Sequence, residues 1–179
     1  MNHEAIAGGT IDQDKYMTFR LASEEYGLTI LKVRELIGLM DITRVPKTPE
    51  FIRGVINLRG KVIPVMDLRL KFGMPAGEAT SQSVIIVVQL AGKSGGVTVG
   101  VLVDEVLEVR SIQPGDVEPP PSFQTNVATD FILGVGKAEK RLIFLIDIDR
   151  VLSVQERSAV AQTETDASRS RAQDNHTEA

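Results

Sequence analysis

VPKTPEFIRGVINLRGKVIPVMDLRLKF, running from Val45 to Phe72, is the stretch whose residue choices decide the fold. Pro46, Pro49 and Pro64 fix local backbone geometry, while Gly54 and Gly60 permit turns. Asn57 can bond its own backbone near a turn, and Arg59-Gly60 reads as a tight turn between INL and KVIPV, which puts Arg59 in solvent at a hairpin tip. Taken alone, such an arginine is an ordinary exposed charge. Thr48 followed by Pro49, with Gly54 beyond, predicts a short helix over 48–54, and further short helices are expected after Asp67 or Asp149.

Outward from that stretch, apolar residues come in short bursts with the composition of strands. SVIIVVQL (83–90) and GVTVGVLV (96–103) are rich in β-branched residues, and Tyr16, Thr18 and Arg20 alternate with Met17, Phe19 and Leu21 as in a strand with one wet face. Lys93, Ser94, Gly95 and Gly96 read as a hairpin loop. Val33, Leu36, Ile37 and Met40 fall at helical spacing, yet YGLTIL before them and Gly38 among them leave a strand equally open; Leu102, Val106 and Val109 are ambiguous in the same way, and both segments are read as strand. No amphipathic helix of 10 to 15 residues separates successive strands, so parallel βαβ winding is disfavoured and antiparallel sheet closing into small barrels is expected. About 140 ordered residues carrying roughly eight to ten strands exceed one small barrel and predict two packed barrel-like halves. The fold class is therefore all-β with short helices. Residues 1–14 and 156–179 are polar and are expected to be disordered tails flanking an ordered body at 15–155.

Composition removes several function classes. The 179 residues hold 20 Lys and Arg against 24 Asp and Glu, a net charge of -4 and a pI near 5.3, which opposes phosphate neutralisation; nucleic acid is not an expected partner. Six Phe, two Tyr and no Trp supply a poor stacking platform. The absence of Cys excludes thiolate chemistry, and His3 and His176, near the two ends, are badly placed for a general base. No apolar run has the length of a membrane span and the start lacks a basic-then-apolar signal, so a cytoplasmic protein with no direct membrane insertion is expected.

Catalytic constellations fare no better. Gly136-Lys137 is followed by Ala138 where a phosphate-binding loop needs Ser or Thr. Asp104 with Glu105, Glu108, and Asp147 with Asp149 are carboxylate clusters, read as a strand end leading into a helix cap rather than as a cation site. Ser81, Ser83 and Ser94 have no histidine partner. The reading is a non-enzyme with no cofactor and no metal; a small barrel binding nucleic acid or a small ligand is the rival, disfavoured by the acidic balance.

The central stretch resembles the bacterial chemotaxis coupling family, CheW. Its pattern appears here as Pro46 to Val55, then Asn57, Leu58, Arg59 and Gly60, then Pro64 to Arg69 with Asp67 inside it. The segments 16–36, 84–109, Pro119 to Pro121 and RLIFLIDIDRVL also look like the family, whereas AGKSGGVTVG (91–100) is a longer loop than its pattern. The resemblance implies two intertwined five-stranded SH3-like β-barrels without catalytic activity. It implies a free-standing adaptor between the cytoplasmic tips of methyl-accepting chemoreceptors and the regulatory domain of the CheA histidine kinase, located at membrane-associated arrays. By matching motif, the family's receptor contacts fall on Val33, Glu35, Arg59 and Val84. Without the family, Val33 and Val84 read as core and Glu35 as a solvated strand residue.

Overall fold

A computed structural model describes residues 14–91, 96–120, 131–153, 156 and 160. Eleven strands run through the described residues: β1 Lys15–Leu21, β2 Glu24–Thr29, β3 Val33–Gly38, β4 Ile52–Leu58, β5 Lys61–Asp67, β6 Val84–Leu90, β7 Val97–Val103, β8 Glu105–Ser111, β9 Val117–Glu118, β10 Ile132–Ala138 and β11 Arg141–Ile146. Two one-turn helices, α1 Leu68–Lys71 and α2 Ile148–Val151, follow β5 and β11. The strands form two sheets, in the order β8-β1-β2-β11-β10-β9 and β3-β6-β7-β5-β4. Each sheet is antiparallel except for one parallel pair, β2 with β11 and β5 with β7.

The two sheets are intertwined because the halves of the chain exchange strands. FIRGVINLRGKVIPVMDL (51–68) recurs as FILGVGKAEKRLIFLIDI (131–148), keeping Phe, Ile, Gly, Val and Asp at a constant offset. Both copies form a hairpin with a register shift just before the glycine. Both also close with the N–H of the Asp donating to the carbonyl of the Phe, at 2.8 Å in Asp67–Phe51 and in Asp147–Phe131. The first half supplies β1 to β5 and the second β6 to β11, but β3 leaves its own half to pair with β6, and β8 leaves its own to pair with β1. Thr43, bridged to Val55, plays against β4 the part that β9 plays against β10.

Three apolar clusters follow from this arrangement. The largest lies between the sheets and includes Met17, Phe19, Leu21, Leu28, Met66, Ile86, Val88, Val101 and Ile146. The other two fill the concave sides of the individual sheets: Ile56, Ile63, Val65 and Ile85 in one, and Ile112, Ala138, Ile143 and Leu145 in the other. Neighbours along one strand therefore enter different cores, as Ile85 and Ile86 do, because successive side chains in a strand point to opposite faces. This double burial is why the strands read as unbroken β-branched runs.

Three expectations need correction. Residues 48–54 are not helical: Thr48 donates to the Val45 carbonyl at 2.9 Å, Ile52 N–H bonds Pro49 at 3.0 Å, and β4 begins at Ile52. Gly54, with φ +145, stands inside that strand, where a Cβ would come within 2.1 Å of the Thr43 oxygen. The outer face of β1 is wet only at its Arg20 end; Thr18 is buried and bonds the Glu108 carbonyl, and Tyr16 packs on the Ile112 cluster, because the sheet curls over that face. The first sheet has six strands rather than five, the sixth being the two-residue β9. At the C-terminal end, Val160 is buried in the large core and Glu156 pairs with Lys71. Residues 1–13, Lys93, Ser94, Gly95, Pro121 and the rest of the C-terminal segment lie outside the described residues.

Candidate functional site

At the β4–β5 turn, Leu58 pairs with Lys61 across a two-residue loop in which Arg59 (φ +52) and Gly60 (φ +84) both take left-handed backbone. Gly60 does so freely, whereas an arginine there is strained. Asn57 helps hold the turn by accepting the Gly60 N–H at 2.8 Å, and Leu58 anchors it by packing on the Ile56 cluster. The Arg59 guanidinium then donates two bonds to the Glu35 carboxylate, Nη1 to Oε1 at 3.1 Å and Nη2 to Oε2 at 2.7 Å. Those bonds, with the field of the carboxylate, hold the guanidinium pKa above its ordinary value. The pair remains accessible, with 75% of the Arg59 side chain exposed.

Glu35 lies on β3 and Arg59 beside β4, the two edge strands of one sheet, so this pair ties together edges that have three strands between them. The sheet is therefore curled into a barrel-like form. The other sheet repeats the device with opposite charge: Glu139 (φ +59) at the β10–β11 turn meets Arg110 of the edge strand β8 at 3.3 Å.

The four residues singled out from sequence divide between two faces. Glu35 lies opposite Val87 and two residues before Ile37, on the side of β3 that faces the inside of its barrel. Val33 and Val84 are half-buried against the large inter-sheet core, on the other side. They sit at opposite ends of the β3–β6 ladder, Val33 against Val88 and Val84 against Gly38, which is roughly 13 Å along the strand. Between and beyond them the sequence reading missed three exposed apolar side chains, Leu36, Leu39 and Met40. The signal was present, since Leu36 and Met40 belong to the apolar set of 33–40, but only an edge position leaves them uncovered.

The remaining motif residues build the frame. Pro64 is buried in β5 just ahead of Val65, where pairing with β7 begins, so its missing N–H costs no ladder bond on that side. Asp67, 3% exposed, caps α1 by accepting from Arg69 N–H at 2.9 Å and also takes Arg53 Nε at 2.9 Å. Arg69 reaches Asp104 with Nε at 2.8 Å, and Asp104 accepts the Ala22 N–H at 2.7 Å. Burial pushes the Asp104 carboxyl up, but the bonds from Arg69 and Ala22 and the nearby Arg20 outweigh it and hold the group below its ordinary value. Asp147 caps α2 through Asp149 N–H, and Asp149 pairs with Lys32 at 2.7 Å. The carboxylate clusters at 104–105 and 147–149 thus serve as caps and ion-pair partners.

Comparison with known proteins bears on this arrangement. The model of the CheW-like domain matches residues 15–156. The chain belongs to the CheW-like domain family. It is 39% identical over 155 residues to the chemotaxis protein CheW of Klebsiella aerogenes, covering 87% of this chain and 90% of that one. It is also 32% identical to the protein FrzA of Myxococcus xanthus, covering 88% and 97%. The crystal structure of the scaffolding protein TtCheW of Thermoanaerobacter tengcongensis superposes with a TM-score of 0.71 at 40% identity, covering 80% of this chain and 95% of that chain. As a family member the chain is a chemotaxis adaptor, with the two-sheet fold of its relatives. Among the described residues, no helix is long and apolar enough to cross a membrane.

Proposed function

We propose that the chain couples the cytoplasmic tip of a methyl-accepting chemoreceptor to the regulatory domain of the CheA kinase, as a non-catalytic bracket in the cytoplasm at receptor arrays. The observation that carries the receptor side is the strained, exposed Arg59 held bidentate by Glu35 on one face of the edge strand β3, whose other face and C-terminal end leave Leu36, Leu39 and Met40 uncovered. Such backbone, taken also by Ala22, Lys47 and Glu139, here holds the Arg59 side chain at the turn tip. Apolar side chains on an edge strand with a charged clasp beside them have the make-up of a surface that receives an amphipathic helix, in which apolar anchors give affinity and polar groups at the rim give orientation. In this reading Val33 and Val84 contribute on the inter-sheet side of the β3 edge, and Glu35 and Arg59 supply the polar contacts on its other side. Single contacts can be weak, because attachment within an array makes later binding steps intramolecular.

Co-sedimentation with a receptor cytoplasmic fragment and with the CheA regulatory domain, separately and together, tests the assignment. Arg59→Ala and Glu35→Arg are each expected to lose most receptor binding and to keep kinase binding, while Glu139→Ala, at the equivalent turn of the other sheet, keeps both. Full retention of receptor binding by both rim variants would refute the assignment.

A further inference from the structure

The repeat and the exchange of strands raise a question of recognition that is separate from the adaptor reading. Two homologous halves that trade strands could in principle trade them with the like half of a second copy, since the backbone plan of each half is the same. The charge distribution distinguishes unlike from like. Residues 14–72 hold eleven Lys and Arg against seven Asp and Glu, whereas 84–160 hold seven against ten. Five ion pairs join the halves among the described residues, and in four the first half gives the cation: Arg20–Glu105, Lys32–Asp149, Arg69–Asp104 and Lys71–Glu156. Arg141–Glu25 runs the other way.

Two of these pairs stand at one repeated position. Strand register aligns 27–35 with 100–108, since Gly27 beside Leu145 matches Gly100 beside Val65 and Val33 beside Val88 matches Val106 beside Phe19. Lys32, which ends the crossover from β2 to β3, is therefore equivalent to Glu105, which follows the crossover from β7 to β8; these are the two points where the chain changes sheets. Lys32 is held by Asp149 and Glu105 by Arg20, each from the opposite half and with reversed polarity. If two first halves met in the same plan, Arg20 would face Lys32; if two second halves met, Asp149 would face Glu105. Both encounters set like charges together in a partly buried site, which is destabilising.

We infer that the charges at the two crossovers are a pairing code: they select the unlike half and exclude strand exchange with the like half of a second copy of this chain. Discrimination by placed repulsion, rather than by attraction alone, is a general route to specificity. The device keeps each molecule closed on itself even at high concentrations of the chain.

The test uses the full chain. Lys32→Glu with Glu105→Lys makes both contacts within one chain repulsive and both like-half contacts attractive. Adding Arg20→Glu and Asp149→Lys restores complementarity within the chain. Each protein is unfolded in urea, refolded at high concentration and sized by light scattering after gel filtration, with its melting temperature recorded. The two-residue variant is expected to refold with a marked shift from the parent's size distribution toward dimers and larger species and with a lower melting temperature; the four-residue variant is expected to return to the parent's size distribution and to recover part of the melting temperature, since Asp149 also accepts the Ala91 N–H. The inference is overturned if the two-residue variant keeps the parent's size distribution, or if the four-residue variant behaves like the two-residue one.

Discussion

Replacing Gly54 by alanine separates the observed strand from the helix that the sequence around Pro49 suggests. In a helix-ending role an alanine there would cost about 1–2 kcal/mol, the penalty of left-handed backbone for a residue with a Cβ. In the structure the demand is far greater. The backbone has φ +145, a region that costs a residue with a Cβ about 1–3 kcal/mol. The added carbon would also lie 2.1 Å from the Thr43 oxygen and 2.7 Å from its carbonyl carbon, so the 43–44 segment must withdraw. Withdrawal breaks both bonds of the Thr43–Val55 bridge, each 2.8 Å long and worth about 1 kcal/mol. The total is about 3–5 kcal/mol, which at roughly 3 °C per kcal/mol for a domain of this size lowers the melting temperature by about 10–15 °C. Gly134→Ala, at the repeated position, meets Val117 Cγ1 at 2.6 Å and the Glu118 oxygen at 2.7 Å but has no positive φ, and is expected to cost about half as much. Gly115→Ala, which meets nothing within 4 Å, should leave stability within about 1 kcal/mol of the parent. Urea titration of the three variants reads the order directly. A Gly54→Ala protein as stable as Gly115→Ala would refute the assigned strand geometry and the close approach of Thr43.

Other consequences can be checked with the same measurements. Asp67→Ala removes the cap of α1 and the partner of Arg53 at a buried site, and is expected to cost about 2–3 kcal/mol in urea unfolding. Because the Asp104 carboxyl is held below its ordinary value when folded, its contribution is present above the normal carboxylate range and is lost as pH falls through the depressed value; unfolding midpoints from pH 6 to pH 2 should fall less steeply in Asp104→Asn than in the parent. Val160→Asp places a charge in the large core and is expected to cost about 3 kcal/mol, whereas a tail without order would tolerate it unchanged by calorimetry.

Local chemistry carried much of the fold and part of the site. Asn57 and Gly60 announced a tight hairpin with Arg59 at its tip because a turn with left-handed backbone leaves few alternatives, and β-branched runs announced strands because such side chains suit a pleated surface. The helix expected over 48–54 failed for a related reason: Thr, Pro and Gly at those spacings serve a turn as well as a helix, and Gly54 was needed for a contact with Thr43 eleven residues away that no local pattern encodes. Motif residues Asp67 and Arg69 were legible as a pattern, yet their work as cap and cross-half clamp depends on Arg53 and Asp104, brought near only by the fold. The repeat between 51–68 and 131–148 was also open to inspection, as identical residues at fixed spacing.

Which strand lies beside which could not be read that way. β3 pairs with β6 and β8 with β1 because two sheets must bury both of their faces at once, a condition on the whole chain rather than on any window of it. Sequence alone determined that the chain makes short strands, where they turn, and which family pattern they follow, since turn chemistry and alternation act between neighbours. Tertiary structure alone decided that Glu35 meets Arg59, that Val33 and Val84 face away from them, and that Leu36 stays uncovered, because those outcomes depend on how a sheet curls and on which strand is left at its edge.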